Sequence, residues 1–334
     1  MQRVLFILFR NGHLKALRGT HTVAIARNGL RTMMPEGTRL ASGPGCPVCV
    51  TSNKDIDTVI ALARIPGVKI TTFGDMTRVP GSTSSLLKEQ AAGRDINIVY
   101  SPLDALKIAQ ENPESEVVFV GVGFETTTPL VAMAIKRAQA LGLKNFSVFV
   151  AHKNMPNALE AIVSDPSLKI DALILPGHVS TIIGMKPYEF LAEKYGVPGV
   201  ITGFEPVDVL QGIAMIMRQL HEGRAEIEIA YKRGVEAQGN PVAMAAIDEV
   251  FETIDTTWRG LGVIPQSGYA IREKYAAFDA FKRFQPEVEP TQEPKGCRCG
   301  DVLRGAMAPN ECPLFRKVCT PENPVGPCMV SSEG

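Results

Sequence analysis

The residues of this chain best suited to chemistry are its seven cysteines, which fall into two groups. One group is the pair Cys46 and Cys49, and the other, near the carboxyl end, contains Cys297, Cys299, Cys312, Cys319 and Cys328. In a reducing cytosol, clustered thiols bind metals or carry out redox and catalytic reactions more often than they form structural disulfides. The two groups are therefore the first candidates for function.

The first group has the spacing C-x-x-C in the segment SGPGCPVCVTSNKD. Residues 43–45, Gly-Pro-Gly, predict a turn after a strand, and Ser52 followed by Asp55 predicts the start of a helix. The two thiols then lie close to a helix N-terminus, where the helix dipole stabilises thiolates. Such a pair is either a redox dithiol or half of a metal site, and the spacing does not decide between them.

The second group has separations of one, twelve, six and eight residues between successive cysteines. Structural zinc sites usually contain two C-x2-4-C motifs, which this segment lacks, whereas iron–sulfur clusters accept irregular spacings in Pro-rich loops. The segment contains few large apolar side chains, so it is poorly suited to burying five structural thiols. We favour a 4Fe-4S cluster over zinc, and bound metal would also hold this proline-rich tail.

The composition is that of a globular protein with two or three domains. The 35 Lys and Arg residues equal the 35 Asp and Glu residues in number, so no net charge draws the chain to nucleic acid or acidic lipid. The apolar run at residues 4–9 is far shorter than the ~18 residues of a membrane span. We expect a cytoplasmic protein whose partners are proteins or small ligands.

Short β-rich runs alternate with helical patterns between residues 38 and 223, which is typical of parallel α/β units. Two of the predicted strands are followed by the tripeptide Gly-Phe-Glu, at Glu125 and Glu205, which indicates two related halves with a ligand cleft between them. A helix opened by Asn240 and Pro241 is predicted to continue through Phe251 and Ile254. The predicted strands are residues 39–41, 68–72, 96–100, 117–120, 147–151, 172–175 and 200–202.

Several motifs together resemble the HypD family, and they span nearly all of the chain beyond Gly19. Each motif alone is a weak signal, but their combination is highly specific. The matching segments are GPGCPVCVT at residues 43–51, FGDMTRVPG at 73–81, GFETTTP at 123–129, PGHVSTIIG at 176–184, GFEPVDVL at 203–210, and the whole tail at 296–334.

The resemblance implies an α/β protein with two similar parallel-sheet domains, at residues 19–127 and 128–222, after an atypical segment at 1–18. It also implies a Cys-rich, mostly irregular or helical iron–sulfur domain at residues 223–334 that holds a 4Fe-4S cluster. The implied function is NiFe-hydrogenase maturation on a scaffold formed with HypC, where iron becomes the Fe(CN)2CO group. HypE, with HypF upstream, delivers the cyanide, and the hydrogenase large subunit receives the group.

The same resemblance assigns roles to the cysteines. Cys46 and Cys49 bind the iron or act as a reductant, and most of the five tail thiols are cluster ligands. A leftover tail pair forms a redox disulfide, as in ferredoxin:thioredoxin reductase. Such a protein is an assembly scaffold with redox activity and not a conventional turnover enzyme. The alternatives are an iron–sulfur disulfide reductase and a zinc-stabilised interaction protein.

Two further site candidates and two departures complete the prediction. His21 lies in a matching motif, and Glu205 is a poor helix N-cap residue, which favours a site role for both. Where the family has E-V-C-G-T-H-T or E-V-C-G-G-H-T, this chain has KALRGTHT, so Arg18 occupies the position of a candidate iron ligand. The family usually continues beyond Gly334 with another cysteine, so one of its cluster ligands is expected to be missing here, and the five tail thiols are expected to suffice for the cluster.

Overall fold

The computed structural model describes residues 6–10, 20–35, 38–168 and 170–330. Arg18 and most of the predicted segment 1–18 lie outside these ranges. The predicted strands are confirmed, because each overlaps one of the strands from β2 to β8. The strands are β1 (Phe6–Arg10), β2 (Thr38–Ser42), β3 (Val68–Thr72), β4 (Ile96–Ile98), β5 (Glu116–Gly121), β6 (Phe146–Val150), β7 (Ala172–Pro176), β8 (Gly199–Thr202), β9 (Ile227–Ile229), β10 (Phe251–Trp258) and β11 (Gly262–Ile271).

The helices surround these strands, and no described helix combines the length and apolar character that a membrane crossing requires. Short 3-10 segments lie at Leu30–Met33, Lys186–Tyr188, Glu273–Phe278, Pro309–Glu311 and Pro327–Met329. The α-helices are α1 (Thr20–Arg27), α2 (Pro47–Val50), α3 (Asn53–Arg64), α4 (Gly74–Thr77), α5 (Leu86–Ala91), α6 (Pro102–Glu111), α7 (Thr128–Ala140), α8 (Met155–Val163), α9 (Gly177–Ile183), α10 (Glu189–Tyr195), α11 (Pro206–Glu222), α12 (Pro241–Val250), α13 (Ala280–Phe284) and α14 (Cys299–Leu303).

A four-stranded sheet has the order β4-β3-β5-β6, and all of its strand pairs are parallel. Its central strand β5 contains the run Val-Val-Phe-Val at residues 117–120, whose side chains are all buried. This is the pattern of a strand covered by helices on both faces, and it explains why the sequence predicted a parallel α/β fold. The α/β class is therefore confirmed.

A five-stranded sheet has the order β2-β1-β7-β8-β9. Strand β1 is antiparallel to both β2 and β7, whereas β7, β8 and β9 are parallel. Strand β2 therefore points in the same direction as β7 and β8, and the carboxyl ends of the three strands lie at one edge of the sheet. The predicted boundary at residues 127 and 128 falls between β5 and β6 of the other sheet, and the two similar domains remain a prediction.

The hairpin of β10 and β11 corrects the helix that the sequence predicted at residues 251–254. In the structure helix α12 ends at Val250, and Phe251 begins a strand that pairs antiparallel with β11. The segment FETIDTTW is rich in β-branched and aromatic residues, which suit a strand better than a helix. At its end Trp258 is fully buried, stacks on Phe124 with ring centroids 6.0 Å apart, and forms a bridge to Thr51.

The proline-rich residues 286–295, here called the strap, lie along helix α3 and the loop after α4. Gln292 donates its N–H to Oγ of Ser82 at 2.7 Å, and its carbonyl accepts from Nδ2 of Asn53 at 3.0 Å. Arg64 pairs with Glu289 at 2.9 Å. Side-chain hydrogen bonds and an ion pair therefore hold the strap, and bound metal in the tail stays a prediction.

Candidate functional site

Cys46 and Cys49 form a disulfide at the short helix α2. Cys46 is the N-cap residue of this helix, and the backbone N–H of Cys49 lies 3.1 Å from Sγ of Cys46. The predicted helix start after the pair is confirmed, because the Oγ of Ser52 accepts the N–H of Asp55 at 3.1 Å. Both cysteines are buried, so the pair is shielded from solvent in this arrangement.

The carboxyl-terminal segment 326–328 covers this pair. The carbonyl oxygen of Pro327 lies 3.7 Å from Sγ of Cys49. In the same segment, a Cβ placed on Gly326 would lie 2.5 Å from Sγ of Cys299 and 2.7 Å from Sγ of Cys297. One short segment therefore contacts both cysteine groups, and its last residue is the tail cysteine Cys328.

The remaining tail cysteines lie in the same irregular region. Cys319 is buried, and its sulfur accepts the N–H of Val325 at 3.3 Å, whereas Cys312 is partly exposed. Over the described ranges, no three His, Cys, Asp or Glu side chains converge closely enough to hold a metal ion. The sulfur donors are chemically suited to an iron–sulfur cluster, but the positions of the side chains in this structure do not form its ligand set.

The electrostatics of Cys297 favour a thiolate. A hydrogen bond from Cys299 lowers the pKa of Cys297 to about 6, with help from the positive charge of Arg259 and against the effect of burial. Thiolates are the form of cysteine that binds metals and attacks disulfides. The residue therefore fits either a ligand or a redox role.

Arg259 is a buried cation that joins the parts of this region. Its backbone N–H donates to the carbonyl of Val50 in α2 at 2.8 Å, and its guanidinium lies 3.5 Å from the carbonyl oxygen of Pro80. The guanidinium is also 3.6 Å from a carboxylate oxygen of Glu293 in the strap. A buried cation next to the thiols stabilises negative charge on them. Sequence reasoning did not identify it, since Arg259 lies in none of the matching motifs.

The FGDMTRVPG and PGHVSTIIG motifs also make contacts in the structure. The guanidinium of Arg78, in the FGDMTRVPG motif, donates to the carbonyl of Pro321 in the tail. His178, in the PGHVSTIIG motif, stacks on Phe204 with ring centroids 3.9 Å apart. The first motif therefore faces the tail, and the second faces the end of β8.

His21 lies at this end of β8, in helix α1. Its Nε2 is 2.7 Å from the carbonyl oxygen of Gly203 and 2.8 Å from Oγ1 of Thr202. Burial lowers the pKa of His21 to about 4, so the ring is neutral at pH 7. Because a carbonyl only accepts, the proton of the neutral ring is assigned to Nε2. The ring also stacks on Phe204 with centroids 4.5 Å apart.

Glu205 follows Phe204 and is the N-cap residue of helix α11, although Glu is disfavoured at that position. Its side chain is 78% exposed and lies 3.6 Å from Arg233. The N–H of Glu205 donates to Asp208 at 3.4 Å, and both guanidinium nitrogens of Arg233 donate to the same carboxylate, which lowers the pKa of Asp208. The site role of Glu205 stays a prediction.

The edge of the five-stranded sheet relates these groups. The cysteine pair follows β2, His178 follows β7 and Glu205 follows β8, and these strands end at the same edge with β1 between β2 and β7. Ligands of α/β sheets bind beyond such carboxyl ends. His21 contacts Gly203 at the end of β8. The predicted cysteine pair, His21 and Glu205 thus lie at the same edge of the five-stranded sheet.

The carboxyl edge of the four-stranded sheet contains buried ionisable residues that sequence reasoning did not assign to a site. Glu125, after β5, is 1% exposed, and its Oε1 accepts the N–H of Met155 at 2.8 Å. Burial raises the pKa of Glu125 to about 7. His152 and Lys153, after β6, are also buried. Their position directly after a predicted strand was the available signal.

Known proteins match this chain over nearly its whole length. The HypD family model, described as the hydrogenase formation hypA family, matches residues 10–334. The hydrogenase expression/formation protein HupD of Azotobacter chroococcum mcd 1 is 50% identical over 332 residues, which cover 97% of this chain and 88% of that protein.

Two further relatives extend the comparison across bacteria and archaea. The hydrogenase maturation factor HypD of Rhizobium leguminosarum bv. viciae is 49% identical, over 97% of this chain and 86% of that protein. A putative hydrogenase expression/formation protein of Methanocaldococcus jannaschii is 47% identical, over 95% of this chain and 88% of that protein. This chain therefore belongs to the HypD family of hydrogenase maturation factors.

Proposed function

We propose that this chain is a scaffold on which the Fe(CN)2CO group of NiFe-hydrogenases is assembled, in complex with HypC. HypE, with HypF upstream, supplies the cyanide, and the hydrogenase large subunit receives the finished group. Family membership supports the maturation role. The observation that carries the finer proposal is the contact of one segment, residues 326–328, with both Cys49 and the pair Cys297 and Cys299.

The two cysteine groups have different roles in this proposal. Cys46 and Cys49 hold the iron that is being modified, because soft thiolates suit iron that carries strong-field ligands. Tail thiols from among Cys297, Cys299, Cys312, Cys319 and Cys328 hold a resident 4Fe-4S cluster. When bound, the cluster supplies electrons.

The disulfide must be opened before Cys46 and Cys49 can bind iron. A dithiol reductant opens it: one thiolate of the reductant attacks one sulfur of the Cys46–Cys49 bond and releases the other cysteine, and the second thiol of the reductant then attacks the reductant's own sulfur in the mixed disulfide. The reductant becomes a disulfide, its two protons pass to the Cys46 and Cys49 sulfurs, and the disulfide at α2 becomes two thiols. The five tail thiols are then all available for the four ligand positions of the cluster.

Anaerobic purification of paired serine variants tests this division of roles. Cys46→Ser is expected to retain the visible absorption of the cluster and to abolish hydrogenase maturation. The matched variant Cys312→Ser is expected to lower the iron and sulfide content. If Cys46→Ser loses the cluster as completely as Cys312→Ser, the division is wrong.

An iron–sulfur disulfide reductase is the second candidate, because a buried disulfide lies beside further thiols. The two functions differ in what the protein binds when it is isolated together with HypC. Infrared bands of cyanide and carbonyl ligands are expected for the scaffold. Catalytic reduction of an external disulfide without these bands would favour the reductase, and a colourless zinc protein would exclude both.

A further inference from the structure

A cavity of about 320 Å³ lies between the carboxyl end of β6, the β10–β11 hairpin and the first turns of α3. It is separate from the cysteine region described above, although α3 borders both. Ligands of parallel sheets bind beyond the carboxyl ends of strands, and this cavity occupies that position in the four-stranded sheet. Its volume is at the small end of the range for ligand sites, so it suits a small molecule.

His152 is a buried polar side chain that lines this cavity. It is 1% exposed, and in the part of the chain that the structure describes neither Nδ1 nor Nε2 has a hydrogen-bond partner. The ring is positioned by shape, since a Cβ on Gly121 would lie 2.7 Å from its Cε1, and one on Gly123 3.4 Å from its Cδ2. Buried polar groups are normally hydrogen-bonded, so the ring nitrogens are suited to a ligand.

Lys153 brings a positive charge to the same cavity. Lys153 is 2% exposed. Its backbone N–H donates to the carbonyl of Gly123 at 3.0 Å, which fixes the backbone that carries the side chain. The ammonium lies 3.6 Å from Oδ2 of Asp55, a side chain that is 26% exposed. This ion pair is longer than a direct hydrogen bond, so it does not satisfy the three ammonium donors.

The other charged groups in the cavity wall limit the charge of a ligand. Asp279 caps helix α13, accepting the N–H groups of Phe281 and Lys282, and Asp255 accepts the N–H of Gln266. Together with Asp55 these carboxylates repel a multiply charged anion such as phosphate. Lys54 and Lys153 oppose the three carboxylates with two positive charges, so among oxyanions a singly charged, planar one is repelled least and can pair with the buried ammonium.

We propose that this cavity binds a small monocarboxylate, whose oxygens accept hydrogen bonds from the ammonium of Lys153 and the imidazole N–H of His152. The ligand completes the hydrogen bonding of both buried side chains. Asp55 then competes with the ligand for Lys153. Removal of the Asp55 carboxylate should therefore strengthen ligand binding, an effect that is not expected if the cavity holds only water.

Binding of 13C-labelled acetate to the full chain, followed by NMR and calorimetry, tests the proposal. Saturable binding is expected, with a change in the His152 ring signals. Lys153→Met is expected to weaken binding by about tenfold or more, because a charged hydrogen-bond partner is lost. The matched control is Lys54→Met, which removes an exposed lysine of the same cavity and is expected to bind acetate as the wild type does.

Asp55→Asn is the second variant, since it removes the competing carboxylate and keeps a side chain of similar size and shape. Acetate binding is expected to tighten by about threefold or more. Absence of saturable binding, or equal affinity in the wild type, Lys153→Met and Asp55→Asn, would overturn the proposal. Competition by phosphate as strong as by acetate at equal ionic strength would also overturn it.

Discussion

The carbonyl oxygen of Pro327 lies 3.7 Å from Sγ of Cys49, although the two residues are 278 positions apart in the chain. When the disulfide is reduced, the thiol of Cys49 can donate to this carbonyl. The end of the described chain is therefore part of the surroundings of the C-x-x-C pair. We therefore expect substitutions in the tail, and in the hairpin that packs against α2, to change the surroundings of Cys49.

Gly326→Ala should displace the tail from the cysteine pair. The added Cβ would lie 2.5 Å from Sγ of Cys299 and 2.7 Å from Sγ of Cys297, so the segment must move. We expect a loss of about 1–3 kcal/mol of stability, as in other overpacked sites, and faster reduction of the Cys46–Cys49 disulfide by dithiothreitol. Urea unfolding and alkylation followed by mass spectrometry measure the two effects.

Gly74→Ala is the matched control for this substitution. Its Cβ would meet Cγ2 of Ile98 at 3.6 Å, an ordinary contact distance. The disulfide of this control should be reduced at the wild-type rate. Equal reduction rates in Gly326→Ala and the wild type would show that the tail does not shield the pair.

Trp258→Ala should destabilise the protein and loosen α2. Trp258 is fully buried, donates its indole N–H to Oγ of Ser267 at 2.8 Å, and forms a bridge to Thr51. Truncation of such a side chain costs about 3–5 kcal/mol of unfolding free energy. Val263→Ala, on an exposed position of the same hairpin, should change stability by less than about 0.5 kcal/mol, and a similar loss in both variants would contradict the assignment.

Glu125→Gln should change how stability depends on pH. Burial raises the pKa of Glu125 to about 7 from its ordinary value of 4.5. Between these pH values the folded protein keeps a proton that the unfolded chain releases, so this residue makes the protein less stable as pH rises from 4.5 to 7. The raised pKa of Glu125 corresponds to a loss of about 3 kcal/mol in the free energy of unfolding between pH 4.5 and 7, and this loss should be absent in the glutamine variant.

Urea unfolding of the wild type and Glu125→Gln at pH 4.5 and pH 8 measures this difference. The amide oxygen of Gln can still accept the N–H of Met155, so the variant is expected to fold. Glu114→Gln, at an exposed position, should follow the wild-type dependence on pH. If Glu125→Gln does so as well, burial does not raise the pKa of Glu125 in the folded protein.

The sequence predicted the local elements well because their causes are local. The β-branched residues of β3, the apolar run of β5 and the cap formed by Ser52 before α3 depend on neighbouring residues only. The antiparallel pairing of β1 depends on strands far away in the chain, and no local pattern indicated it. The helix prediction failed at Phe251 because the helical spacing of apolar residues continued by chance into a strand.

The candidate site was predicted in part for the same reason. The types and spacing of Cys46, Cys49 and the tail cysteines predicted a role for them, but the contacts of Cys49 with Pro327 and of Cys297 and Cys299 with Gly326 are tertiary. The two Gly-Phe-Glu tripeptides look equivalent in sequence, yet Glu125 is buried and Glu205 is exposed. Burial depends on what packs over a strand end, which the tripeptide itself does not determine.

His21→Asn should make the protein less sensitive to mild acid. Burial lowers the pKa of His21 to about 4 from 6.5, so below pH 6.5 the unfolded chain binds a proton that the folded protein does not. Stability is therefore lost as pH falls from 6.5 to 4, by about 3 kcal/mol for this residue. Asn can still donate to Gly203, and urea unfolding at pH 7 and pH 4.5 should show a smaller loss in the variant.

The matched control is His221→Asn, because His221 is exposed at the end of α11. It should lose as much stability in acid as the wild type. His152, whose pKa burial lowers to about 3, contributes to the acid response in both variants, so His21→Asn should reduce the loss without abolishing it. An unchanged acid response in His21→Asn would mean that the ring is protonated, and no longer the neutral donor to Gly203, well above pH 4.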